Sequence, residues 1–151
     1  MKVLVSGGFD PIHDGHINYL EAASHYGKII VALNTDEWLL SKKGYIFQKW
    51  QIRKRILETN VFVWGVIDVN DSDGTVCEAI EKVRPDYFAN GGDVIKPNEK
   101  EHQCCMKYKV KELFGIGGNK INSSSWLIAN LKEQIDEEFI KWCSLIAERN
   151  K

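Results

Sequence analysis

The sequence predicts a single α/β domain: a parallel sheet with helices on both faces. Three observations carry that prediction. Short apolar runs alternate with helical stretches along the whole chain, and that order produces parallel strands joined by crossover helices. Glycine pairs and Pro85 fall between the runs, where elements must end. The chain has 151 residues and shows no repeat, low-complexity tract or linker, so residues 1–151 suit one core.

The elements follow in order. Lys2–Ser6 is β-branched and short, a buried strand that Gly7 and Gly8 end. Asp14 caps a helix that runs to about Tyr26, with Ile17, Leu20, Ala23 and Ser24 near one face. Lys28–Leu33 is a second apolar strand. Glu37–Ser41 is a short helix, and a Lys-Lys-Gly loop follows it. Gln48–Thr59 is helical and Val61–Ile67 is a strand. Thr75–Val83 is a helix stopped by Pro85. Tyr87–Asn90 is a strand that runs into Gly91, Gly92 and Asp93. Glu99–Leu113 reads as a helix, Gly115–Gly118 as a tight connection, and a long last helix starts near Ser123. Residues 135–150 form its C-terminal part. Along it, Ile128, Leu131, Ile135, Phe139, Trp142 and Ile146 make an apolar seam. The seam reads either as packing on the sheet or as the contact of a homodimer.

Composition narrows the function. The formal net charge is −1, which argues against a broad nucleic-acid or anionic-membrane surface but leaves room for a local phosphate pocket. No apolar run is long enough to span a bilayer, and Met1–Asp10 lacks the pattern of a signal peptide. Cys77, Cys104, Cys105 and Cys143 form no C-x-x-C pair, so they read as reduced thiols of a cytoplasmic protein. His102, Cys104 and Cys105 lack a fourth ligand and the usual metal-site spacing.

In parallel sheets of this kind ligands sit beyond the carboxyl ends of the strands. Three loops therefore matter: residues 7–16, 91–98 and 118–125. The strongest signal is Gly7-Gly8-Phe9-Asp10-Pro11-Ile12-His13-Asp14-Gly15-His16. Its glycines allow close backbone approach and positive φ. The helix start offers free N–H groups and the positive end of a dipole, a natural anion site. His13 and His16 are spaced to share one face there, where imidazoles can donate to charge developing in phosphoryl-type transfer. Gly15 keeps the space between them open.

This segment resembles the H-x-G-H signature of the cytidylyltransferase-like nucleotidyltransferases, a group that includes glycerol-3-phosphate and choline-phosphate cytidylyltransferases and heptose-1-phosphate adenylyltransferase. The resemblance extends over nearly the whole chain. Val31–Asp36 is similar to the family's second strand and its end, Lys42-Lys43-Gly44 to its lysine loop, and Trp50–Arg53 to its arginine-bearing helix. Arg84–Asp93 is similar to its nucleotide-side strand, and Asn122–Ser125 to its I-S-T-T element. Three positions depart from the pattern. Gly8 replaces a hydroxyl or thiol residue. Gly118, Asn119 and Lys120 stand where cytidylyltransferases carry an arginine, and Asn90 stands where the heptose enzymes have lysine.

The resemblance implies a Rossmann-like three-layer fold. It implies transfer of CMP or AMP from CTP or ATP to a sugar- or polyol-phosphate, with Mg²⁺ held by the phosphates and no organic cofactor. His13, His16 and Lys43 (or its neighbour Lys42) would be catalytic. Gly7, Gly8, Phe9, Asp10, Gly15, Gly92, Asp93, Ser123, Ser124 and Ser125 would bind nucleotide, and Arg53 and Lys120 the acceptor. Plainer roles stand beside these: a solvated lysine at 43, a surface charge at Arg53 among Lys49, Lys54 and Arg55, a turn aspartate at 93, and N-capping by one serine. Trp126 is expected to pack rather than to stack on a base. Two other functions compete: a nucleotide sensor that has lost turnover, and a coenzyme-biosynthesis adenylyltransferase.

Overall fold

The computed structural model describes residues 1–92, 94–119 and 121–149, the side chains of Ile146, Ala147 and Arg149 excepted. The elements are β1 (Lys2–Gly7), α1 (Asp14–Ser24), β2 (Lys28–Leu33), α2 (Asp36–Lys43), α3 (Trp50–Glu58), β3 (Val63–Asp68), α4 (Cys77–Val83), β4 (Tyr87–Gly91), α5 (Glu99–Tyr108), β5 (Lys111–Ile116) and α6 (Ser124–Arg149). The five strands form one sheet in the order β3-β2-β1-β4-β5, every pairing parallel. The fold is Rossmann-like α/β, as the alternation predicts.

β1 lies in the middle, and its side chains alternate between two cores. Val3 and Val5 pack with Leu20 and Ala23 of α1 and Leu57 of α3. Leu4 faces the other way, toward Ala79 and Ile80 of α4 and Cys105 of α5. β2 divides likewise, Ile29, Val31 and Leu33 to the first core and Ile30 and Ala32 to the second. A strand covered on both faces needs an unbroken apolar run, and KVLV and KIIVAL supply one. The chain moves from β1 outward to β2 and β3, then crosses back over β1 to β4 and β5. The strand order therefore reverses between β1 and β4, and a crevice opens at their carboxyl ends.

Several elements differ from the sequence expectation. The expected helix over 99–113 stops at Tyr108, and Lys111–Ile116 is a fifth strand. Lys109 ends α5 in the left-handed conformation (φ 58), a task that glycine usually marks, so the boundary carried no signal. β5 is an edge strand that pairs with β4 alone, and its mixed KELFGI pattern lacks a buried strand's run. Gly115, expected in a tight connection, lies within β5 at φ 69, beside a register irregularity between Ala89 and Gly91. β3 begins at Val63, and Val61 is 90% exposed. α2 continues through Lys43 and closes on a left-handed Gly44, so the two lysines occupy a helical turn, not a loop.

α6 bears on the first reading of the seam, packing on the sheet. Only its first turns touch the domain: Ser124 is buried, Leu127 and Ile128 are half-buried, and every residue from Ala129 to Leu145 is exposed. Leu131, Ile135, Phe139 and Trp142 of the seam are therefore not covered by the sheet, and the side chain of Ile146 lies outside the described residues.

Candidate active site

β1 delivers the chain to the crevice, and the next turn is set by side-chain crowding. A Cβ on Gly7 would sit 3.0 Å from the Phe9 ring, and one on Gly8 would sit 2.7 Å from Leu39. A side chain at Gly7 would crowd the Phe9 ring, and one at Gly8 would have to push Leu39 aside. The positive φ expected of these glycines falls instead on Phe9, at 48°. Asp10 follows, fully buried, and its carboxylate accepts from the N–H groups of Phe47 and Gln48, each at 2.7 Å. The expected contact of Asp10 with nucleotide is thus corrected, because its oxygens fasten the loop before α3. Gly8 lies next to Phe9, partly exposed. It does not line the cavity, and its carbonyl is taken by Arg53.

His13, not Asp14, is the N-cap of α1. Its ring stacks on that of His16 with centroids 3.8 Å apart and planes 25° apart, and Phe9 tilts against His16 at 4.8 Å. The His13 N–H donates to Nδ1 of His16 at 3.3 Å. A neutral His16 with Nδ1 accepting carries its proton on Nε2. Burial, then the neighbouring His13 and Lys43, push the His16 pKa down to about 3. The ring is therefore neutral at physiological pH and offers a hydrogen-bond donor rather than a charge. Gly15 has a physical reason too, since a Cβ there would come within 3.1 Å of the His13 ring.

These groups line one side of an open cavity of about 450 Å³. Gly7, Phe9, His13, Gly15 and His16 contribute, and Lys43 closes over them from α2, its Nζ donating to the Asp10 carbonyl at 3.1 Å. Gly91 and Gly92 of the β4 end line another side, with residues 116–119. Gly92 is needed for space, as its Cβ would overlap the Gly118 carbonyl oxygen at 1.5 Å. Ser123, Ser124 and Ser125 complete the cavity at the start of α6. Ser123 accepts from the Trp126 N–H at 3.2 Å, an N-cap bond, while Ser124 donates to the Pro11 carbonyl at 2.9 Å. Two helix starts thus face one cavity, and N–H dipoles there favour a polyanion. Asp93 and Lys120 lie outside the described residues.

Arg53 is corrected as an acceptor ligand. It is 1% exposed, and its guanidinium donates to the carbonyls of Gln48 (3.0 Å), Gly8 (2.7 Å) and Asn34 (3.0 Å) and to Asp36 (2.6 Å). With every nitrogen engaged, the planar fork ties the first-strand loop to the end of β2 and has no face left for a phosphate.

Sequence reasoning missed Trp38, Tyr19 and Asp71. Trp38 lines the cavity and also walls a second one of about 440 Å³, which Thr35, Ser41, Lys42, Asn70 and Ser72 line. Tyr19 lines the first cavity and donates to the Ala89 carbonyl at 2.6 Å, its hydroxyl kept protonated by burial. Asp71, 5% exposed, accepts from the Asn34 amide and from the Thr35 N–H and hydroxyl, so it fixes the turn that starts α2. Only the aromatic character of Trp38 and Tyr19 was visible beforehand, and that is shared with many core residues.

The cytidylyltransferase-like family matches residues 4–141 of the chain. The chain belongs to that family. It is 43% identical over 93 residues to the glycerol-3-phosphate cytidylyltransferase of Bacillus subtilis (strain 168), covering 61% of this chain and 71% of that one. It is 38% identical over 96 residues to the bifunctional protein HldE of Methylobacillus flagellatus, covering 60% of this chain but only 19% of that protein. In structure it is similar to the lipopolysaccharide core biosynthesis protein from Thermoplasma volcanium GSS1, with a TM-score of 0.63 at 22% identity over 76% of this chain and 93% of that one. The last likeness concerns the fold. This cytidylyltransferase-like chain is a nucleotidyltransferase, and the cavity at the β1–β4 switch is the place in its fold where a nucleotide is expected.

Proposed function

We propose that the chain transfers CMP or AMP from CTP or ATP to a sugar- or polyol-phosphate and releases pyrophosphate, at the cavity between the starts of α1 and α6. The observation that carries this is the stacked pair His13–His16 facing the serine turn 123–125 across one crevice. An oxygen of the acceptor phosphate attacks the α-phosphorus in line, the bond to the bridging oxygen breaks, and pyrophosphate leaves with that oxygen. A phosphate oxygen is already nucleophilic, so no general base is required, and catalysis is positioning and charge stabilisation. His16 donates through Nε2–H without carrying a charge of its own into the site. Lys43 neutralises phosphate charge, and the N–H groups of both helix starts hold the polyphosphate.

Mg²⁺ is part of this reading as an ion that would come with the nucleotide, where it would supply positive charge against the polyphosphate beside Lys43 and the two helix starts. With Arg53 spoken for, the acceptor is placed in the second cavity behind Trp38. There Lys42 is the cation, Ser41, Asn70 and Ser72 supply partners for hydroxyl groups, and the carboxylates of Glu37 and Asp71 also line the cavity and suit the hydroxyl rather than the phosphate end of the acceptor.

The proposal includes a cytoplasmic homodimer paired through α6. No helix among the described residues is long and apolar enough to cross a membrane. Leu131, Ile135, Phe139 and Trp142 are each 45–61% exposed along one face of α6, and a second copy of the same face is a self-complementary cover.

Four nucleoside triphosphates screened against a panel of sugar- and polyol-phosphates, with Mg²⁺ and a pyrophosphate readout, test the reading. Release is expected with CTP or ATP and one acceptor class. Binding of nucleotide without release in any combination would make the chain a sensor.

A further inference from the structure

One polar contact joins the two helix starts at the mouth of the cavity. Asn122 Nδ2 donates to Asp14 Oδ1 at 3.0 Å, between residues 108 positions apart in the chain. Each partner is held on its own side. The same Asp14 oxygen accepts from the Gly15 N–H at 2.9 Å, and the Asn122 side-chain oxygen accepts from the Ser123 N–H at 2.8 Å. The backbones come together here as well, since a Cβ on Gly15 would lie 3.6 Å from the Asn122 carbonyl oxygen. One residue beyond the cap, Ser124 fastens α6 to the Pro11 carbonyl. The serine turn is thus pinned at two points, and two points fix its tilt as well as its distance from the histidine turn.

We infer that Asp14 and Asn122 are a positioning pair that sets the width of the polyphosphate cleft between the starts of α1 and α6. Asp14 does not line the cavity; Asn122 does, and the rescue by side-chain exchange below separates its latch role from a direct contact. The pair acts through the N–H groups and side chains of residues 13–16 and 123–125, which converge on one polyanion only while the two turns keep their spacing. The inference rests on the reading of this cavity as a nucleotide triphosphate site. It makes a prediction opposite to that of simple charge. Asp14 is an exposed carboxylate beside an anion site, so by charge alone its removal should tighten polyanion binding. As half of a latch, its removal should loosen binding.

The test measures the affinity of the full chain for inorganic tripolyphosphate with Mg²⁺ by calorimetry, with heat unfolding in the absence of ligand as the control for folding. Asp14→Ala and Asn122→Ala should each weaken binding roughly three- to tenfold, the size of one charge-assisted hydrogen bond. Asn122→Asp sets two carboxylates together and should weaken it further. The exchange Asp14→Asn with Asn122→Asp restores the bond with its polarity reversed and should return affinity to within about twofold of wild type. Unliganded unfolding temperatures should stay together, because the Ser124 bond and the core are untouched. Tighter binding by Asp14→Ala, or failure of the exchange to rescue Asn122→Asp, would overturn the latch. A wild-type chain that binds no tripolyphosphate would overturn the nucleotide reading itself, whereas variants that all bind like wild type would remove the latch and leave that reading in place.

Discussion

At the scale of single residues, burial does most to set chemistry. His16 keeps its neutral form down to about pH 3, whereas an exposed histidine takes a proton near 6.5. Between those values the unfolded chain binds a proton that the folded chain refuses, so stability falls as pH falls through that window. The slope from this one ring is at most about 1.4 kcal/mol per pH unit. His16→Asn, which cannot titrate, should lose less stability than wild type between pH 7 and pH 4 in denaturant unfolding. Parallel losses would mean that the ring is protonated in the folded state. Arg53 makes the complementary point. Arg53→Ala strands three carbonyls and Asp36 in a buried corner and should cost about 3–5 kcal/mol. Arg53→Lys should recover little of that, because a point charge cannot serve four acceptors. Near-normal stability of Arg53→Ala with a raised acceptor KM alone would return the residue to substrate binding.

At the scale of elements, legibility tracked how much of the pattern was local. β1, β2 and α1 could be read because their signals are contiguous: an apolar run, a glycine pair, a periodic face. The H-x-G-H turn was readable for the same reason, since its histidines and Gly15 are neighbours in sequence. β5 was not, because an edge strand is specified by its partner β4 and its start is marked by a left-handed lysine rather than glycine. Arg53 and Asp10 were assigned to ligands because the sequence shows a charge but not its partners. Those partners, at Gly8, Asn34, Phe47 and Gln48, are brought in by the fold. α6 presents the reverse case. Its apolar seam was visible, but whether the sheet would cover it depended on how the helix leaves the domain. An exposed helix with Ile135, Phe139 and Trp142 on one face requires a cover. If the proposed homodimer pairs through α6, truncation after Gln134 should yield a monomer in sedimentation while leaving the domain folded; a truncated dimer would place the interface elsewhere.

At the scale of the whole molecule, topology brings the chemistry together. The reversal of strand order between β1 and β4 leaves a crevice, and the chain returns to it three times: after β1 with the histidines, after β4 with Gly91 and Gly92, and after β5 with the serine turn. Trp38 and Lys43 arrive from α2 above it, so one wall serves both the first cavity and the second. That arrangement suits the proposed transfer, which has no covalent intermediate. In that proposal two substrates need only be held in line, and the leaving pyrophosphate would lie between the two helix starts. The claim is tested most directly by measuring pyrophosphate release from wild type and His16→Ala side by side, with Mg²⁺, CTP or ATP and the acceptor found in the screen. Wild type should release pyrophosphate only when both substrates are present. His16→Ala should be slower by about 10²-fold or more at unchanged circular dichroism. Equal rates from the two proteins would take His16 out of the mechanism and contradict the account.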